Sequence, residues 1–138
     1  MDIHYPARLE PQETGGFLVR FVDLDDTFTE GETWEAALFN AAEVLSAMLA
    51  WRLDNEQPIP DPSPITEGLV SIAPDAKTQA ALLVRRARGD RSLAEVARAL
   101  ETSWPAAKRL EDPHHSPTLK QLEKAASLFG KRLVLIFE

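Results

Sequence analysis

Apolar and polar residues alternate at the start of the chain, with Ile3, Tyr5, Ala7 and Leu9 on one side and His4, Pro6, Arg8 and Glu10 on the other. A period of two marks a half-buried strand. Pro6 cannot donate to a ladder, which predicts that this strand lies at a sheet edge. Phe17, Val19 and Phe21 alternate in the same way after Gly15 and Gly16, so the two strands are expected to form a hairpin. A third short strand is expected near residues 27–29. From Thr33 the period becomes helical: Trp34, Ala37, Leu38, Ala41, Val44, Leu45, Met48 and Leu49 recur at steps of three and four, a stripe that reads as core. Thr33 suits the N-cap, and Glu32 and Glu35 suit the positive end of the helix dipole. The helix should lie across the sheet and end near Arg52, before QPIPDPSP at 57–64, whose prolines favour a stiff, extended course. A strand over residues 69–72 would complete a small α+β unit.

The second half is patterned as helices. Residues 76–88 place Ala80, Leu83, Val84 and Ala87 on one face and stop at Gly89; helices follow over 92–100, 103–111 and 118–129, the last ended by Gly130. Ser92, Ser103 and Thr118 each stand at an N-cap position. The run Leu133 to Phe137 is apolar on both faces and β-prone, so a C-terminal strand is expected. Its edge must be covered, either by a symmetry mate in a homodimer or within its own chain. The expected class is α+β, with a boundary between residues 1–73 and 74–138.

Charge sharpens this division. The net charge of −7 conceals a split: residues 1–74 hold 14 Asp/Glu against 3 Lys/Arg, and residues 75–138 hold 8 against 12. Two surfaces of opposite sign imply two different partners, the basic one suited to phosphate. There is no cysteine, which excludes disulfides and thiolate metal sites. The absence of a charged n-region and of an apolar run approaching 18 residues leads to the expectation of a cytoplasmic protein that does not engage a membrane.

In SLAEVARALETSWPAAKRLE at 92–111, Leu93, Val96, Ala97 and Leu100 line one helix face and Ala107 and Leu110 the next, with the small Ala97 permitting close approach across a three-residue turn. This pattern, over residues 77–130, resembles the lambda-repressor-like helix-turn-helix family. Glu101 stands where that family usually has a glycine at positive φ, and Trp104-Pro105 open the second helix where it is usually polar. The resemblance implies that Trp104, Pro105, Lys108 and Arg109 face the major groove of operator DNA, with Arg109 the candidate for a bidentate guanine contact. It implies phosphate contacts from Arg91, Ser92, Ser103 and Lys120, and a structural ion pair between Arg86 and Glu111.

The first half carries YPA at 5–7, GGFLVRFVDL at 15–24, TEGET at 29–33, AAL at 36–38, NA at 40–41 and IPDPS at 59–63. Together these resemble the HicB-type antitoxins, which join a partial RNase H-like domain to a DNA-binding domain. That resemblance implies a small, basic, mRNA-cleaving toxin of the HicA-like kind as partner, held by an acidic surface for which Asp23, Asp25, Asp26, Glu30 and Glu32 are the candidates. The implied function is a type II antitoxin that also represses its own operon. A plain transcriptional repressor with a ligand- or protein-sensing N-terminal domain is the alternative.

A metal-dependent nuclease is the third reading, because clustered carboxylates can hold two Mg²⁺ ions. Asp23, Asp25 and Asp26 are the dense cluster, but they stand at a strand end where Asp is common for backbone reasons. No nucleophile with an adjacent base and no glycine-rich phosphate loop occurs, and the adjacent His114 and His115 have no carboxylates at metal spacing. No enzymatic activity, cofactor or metal is therefore expected.

Overall fold

A computed structural model describes all 138 residues. Four strands, β1 (Tyr5–Pro11), β2 (Phe17–Phe21), β3 (Phe28–Gly31) and β4 (Val70–Ile72), form one antiparallel sheet in the order β3-β2-β1-β4. The 21-residue helix α1 (Trp34–Asp54) links β3 to β4 and lies on one face of the sheet. The alternation puts Tyr5, Ala7, Val19, Phe21 and Ile72 on that face, buried against Ala37, Ala41, Leu45 and Leu49 of the helix. The helix starts as expected: the Thr33 side chain accepts from the Ala36 amide at 3.0 Å. Gly31 is required where β3 turns into α1, because a Cβ there would stand 2.3 Å from the Ala37 amide nitrogen.

Pro6 does not mark an edge, since β1 is flanked by β2 and β4. The β1–β2 register begins only at Ala7 opposite Phe21, and the Pro6 carbonyl accepts the Val22 amide at 3.0 Å just beyond it. The missing N–H therefore falls at the last rung of that ladder, where its loss is tolerated. Proline segment 57–64 runs extended along the body and is fastened at several points. Arg52 donates to the Pro58 carbonyl at 2.8 Å, the Tyr5 hydroxyl donates to the Pro60 carbonyl at 2.7 Å, and Ser63 donates to Asp23 from its amide (2.8 Å) and its hydroxyl.

Helices α2 (Ala76–Arg88), α3 (Leu93–Ala99), α4 (Trp104–Arg109) and α5 (Leu119–Leu128) follow. Asp75, Ser92, Ser103 and Thr118 each cap with a side chain that accepts the amide three residues on, and Thr118 with Gln121 closes a full capping box. Val84, Val96, Ala97, Leu100, Ala107, Leu110 and Ala125 make a second core. Helix α2 serves both: Leu82 belongs to the sheet core and Val84 to the helical one. Of its expected apolar face, Val84 is buried in the second core, while Ala80, Leu83 and Ala87 are half-buried along a 340 Å³ groove against α5. Glu101, in the turn between α3 and α4, sits at φ +54°, the left-handed region that a glycine usually fills.

Two further expectations are corrected. Arg86 does not pair with Glu111. It turns toward the first half, donating to the Tyr5 hydroxyl, the Asp2 carbonyl at 2.5 Å and the Pro60 carbonyl at 3.3 Å, with Asp61 at 3.5 Å. The partner of Glu111 is Arg88, in a bidentate pair at 2.6 and 3.0 Å. Two residues on a helix are about 200° apart, so the face on which α2 meets the sheet decides which arginine is available to Glu111. The second is the pairing of the C-terminal run within its own chain. Residues 131–138 form no ladder, because a strand exists only by pairing and the single chain gives this one no partner. Val134, Leu135, Ile136 and Phe137 stay exposed, while Glu138 reaches back to His4 Nε2 at 2.5 Å. Burial works against a charge on His4, yet the carboxylates of Asp2 and Glu138 outweigh it and raise its pKa.

Helix α1 is long and apolar enough to cross a membrane by length and composition, but its inner face is committed to the sheet.

Candidate nucleic-acid and protein-binding surfaces

Helix α4 begins at Ser103, whose hydroxyl accepts the Ala106 amide at 3.2 Å, and Pro105 occupies the first turn, where its missing donor is harmless. Ala107 is buried against α3, which leaves Trp104, Pro105, Lys108 and Arg109 exposed on the outer side. The Lys108 ammonium lies 5.2 Å from the Trp104 ring centroid, a cation–π contact that steadies both side chains. Neither Lys108 nor Arg109 has a carboxylate partner, so both charges stay available to an anion.

These four residues line one groove of about 910 Å³ whose other wall is the end of α1 and the residues after it. Asp54 and Glu56 stand on that wall and Arg85 reaches the groove from α2; none of them was a candidate from the sequence. Their arrival depends on how α1 and α2 pack, for which sequence spacing carries no signal. Arg91, Ser92 and Lys120 lie outside the groove. Ser92 is spent on capping the Glu95 amide at 3.1 Å, Arg91 stacks its guanidinium 5.3 Å from the Phe129 ring, and Lys120 is exposed in the first turn of α5. Glu111, 11% exposed, is held by Arg88, whose own pKa is raised chiefly by that hydrogen bond.

The acidic candidates divide. Asp23 is bound to Ser63, and Asp26 accepts from Arg52 at 3.1 and 3.2 Å. Partial burial pushes the Asp26 pKa up, but the hydrogen bonds from Arg52 and Thr27 outweigh it and hold the carboxyl below its usual value. Asp25 and Glu32 are exposed and have no ionic partner, and the Glu30 carboxylate receives only a long 3.4 Å bond from Gln12. The turn is thus partly a fastening for the proline segment and for α1, and partly free acidic surface.

The fold also gathers Asp54, Asp112 and His114, with ligand atoms within 4.8 Å of one another, although 60 residues separate His114 from Asp54. His114 Nε2 is 2.7 Å from Asp54, and that hydrogen bond is the main cause of its raised pKa. This corrects the expectation that His114 has no carboxylates at metal spacing: an ion pair with Asp54 joins the loop after α4 to α1, and Asp112 accepts the His114 amide at 2.8 Å.

Against known proteins, residues 4–79 match the family described as the HicB_like antitoxin of bacterial toxin-antitoxin system. The chain belongs to the HicB-like antitoxin family. Similarity continues beyond the matched segment. The chain is 28% identical over 137 residues to Antitoxin HicB 1 of Photorhabdus laumondii, an alignment covering 99% of this chain and 88% of that protein. It is 30% identical over 135 residues to Antitoxin HicB 2 of the same organism (98% and 96% covered) and 27% identical over 136 residues to Antitoxin HicB of Escherichia coli K12 (97% and 99% covered). The α+β architecture and the order of its elements are therefore set in an antitoxin chain aligned from end to end.

Proposed function

We propose that this antitoxin neutralises a small basic toxin of the HicA-like kind through its acidic half and represses its own operon by placing α4 in the major groove of operator DNA. It acts as a binding protein in the cytoplasm, without enzymatic activity. Residues 1–73 hold the toxin and residues 74–138, a helix-turn-helix unit, hold DNA. The observation that carries the reading is the segregation of charge onto different elements: 14 of the 22 acidic residues precede residue 75, whereas Lys108 and Arg109 stand exposed and unpaired on α4. An acidic surface speeds encounter with a toxin built to bind RNA and opposes nucleic acid, while the basic helix end does the reverse. The exposed Val134 to Phe137 run supports a homodimer joined through the C-terminal strand, which would set two α4 helices on a palindromic site.

A separation-of-function experiment tests this. In cells carrying the chain, the cationic toxin and a reporter behind the chain's own promoter, the wild type should restore growth and silence the reporter. Arg109→Ala should derepress the reporter, losing about 1 to 3 kcal/mol of operator affinity, and still restore growth. Failure of the wild type in both arms would end the proposal.

A further inference from the structure

We infer that the toxin seats on the outer ridge of α1, anchored by Phe39 and Trp51; the inference rests on the toxin-neutralising reading above and assigns it a surface. Steps of four residues along α1 give Glu35, Phe39, Glu43, Ala47 and Trp51, and all five are exposed while the opposite side of the helix is buried on the sheet. Side chains four apart are neighbours, so these form one continuous ridge that winds around the helix, its two aromatic anchors about 18 Å apart along the axis and about 120° apart around it. Phe39 is 66% exposed and Trp51 53%. Single exposed apolar residues need no explanation, but two aromatics set between glutamates on one ridge have the make-up of binding hot spots.

Charge selects the occupant. Between residues 21 and 51 there are seven Asp/Glu and no Lys or Arg. The ridge ends close to the other acidic groups: Glu32 precedes α1, and Asp26 is tied to Arg52 beside Trp51. The opposite face of the domain is balanced in sign, the exposed Glu10 and Glu30 sharing it with Arg8 and Arg20. Arg8 and Arg20 are directly opposed across β1 and β2, both exposed and neither salt-bridged, with exposed Phe28 beside Arg20. Like charges in that position repel each other and any cationic partner. A basic protein is therefore drawn to the α1 ridge, where the glutamates have no basic neighbour on the ridge, in preference to the open sheet face, where the arginines offset Glu10 and Glu30. A second copy of this chain fits poorly there, since Glu35 and Glu43 would meet their own kind.

The test measures binding of the full chain to a small basic toxin of the HicA-like kind, with melting temperature and sedimentation mass recorded for every variant. Phe39→Ala and Trp51→Ala should each weaken binding roughly tenfold or more without lowering the melting temperature, because neither side chain is buried. The double variant Glu35→Lys, Glu43→Lys should slow association and flatten its salt dependence. Arg8→Ala and Arg20→Ala should bind as the wild type does. Wild-type binding that survives both alanine variants would sink the ridge and leave the toxin reading standing. Weakening by the Arg8 and Arg20 variants instead would also overturn it, as would a change in the mass of the free chain in Phe39→Ala, which would make the ridge a self-contact. No binding by the wild type would remove the toxin reading and the ridge together.

Discussion

The exchange of partners between Arg86 and Arg88 can be measured. Arg88 and Glu111 make two charge-assisted hydrogen bonds, with side chains 22% and 11% exposed. An exposed ion pair contributes about 0 to 1 kcal/mol, and hydrogen bonds to charged groups about 1.5 to 3. Partial burial and bidentate geometry place the coupling of this pair at about 1 to 2 kcal/mol. Arg88 also donates to the Arg91 carbonyl at 2.8 Å, but that bond is present whether or not Glu111 is, so it cancels in a cycle. The assay is urea unfolding of the wild type, Arg88→Ala, Glu111→Ala and the double variant, repeated with Arg86→Ala in place of Arg88→Ala. For a chain of this size 1 kcal/mol corresponds to about 3 to 4 °C in Tm, so thermal melts provide a second readout. The first cycle should show the coupling, and the second should be additive within about 0.5 kcal/mol. Coupling in the Arg86 cycle, or additivity in the Arg88 cycle, would refute the assignment and with it the way α2 is docked between the two cores.

Glu101→Gly should stabilise the protein by about 0.5 to 1 kcal/mol, the relief of a left-handed non-glycine residue less the added freedom of the unfolded chain, and a lower Tm would contradict the turn geometry. Ser63→Ala should cost about 1 to 2 kcal/mol by removing the hydroxyl bond to Asp23, and an unchanged urea midpoint would show the proline segment to be held otherwise. His114 should titrate above 6.5 by NMR and return toward that value in Asp54→Asn. Because the folded value is raised, the stability contributed by this pair is fully present below the unfolded pKa and is lost as pH rises through the folded one; a titration unaffected by Asp54→Asn would break the pairing.

Local signals were legible in the sequence because local chemistry produces them. The alternation of Tyr5, Ala7, Val19 and Phe21 gave the buried sheet face, and Thr33, Ser92, Ser103 and Thr118 gave four helix starts, each by a side chain reaching only three residues along the chain. What stayed hidden depends on docking. Whether Arg86 or Arg88 meets Glu111 is fixed by the rotation of α2, and Pro6 fits an inner strand only because the β1–β2 ladder begins one residue later. Contacts such as Asp23 with Ser63 and Asp54 with His114 span 40 and 60 residues and leave no periodic trace. Phe39 and Trp51 were visible as letters, but their meaning comes from the side of α1 that the sheet leaves uncovered. The terminal run forms no ladder within its own chain because an apolar, β-prone sequence states a propensity, whereas a ladder requires a second strand.

The claim that one chain keeps an acidic face for protein and a basic helix for phosphate is tested most directly by operator binding across a salt series. Fluorescence anisotropy of a labelled promoter duplex with the full chain, from 50 to 200 mM salt, should give an affinity that falls steeply and linearly on logarithmic axes. Lys108→Ala should lower the magnitude of that slope by about one. A wild-type affinity indifferent to salt, or a slope the same in Lys108→Ala as in the wild type, would contradict the account.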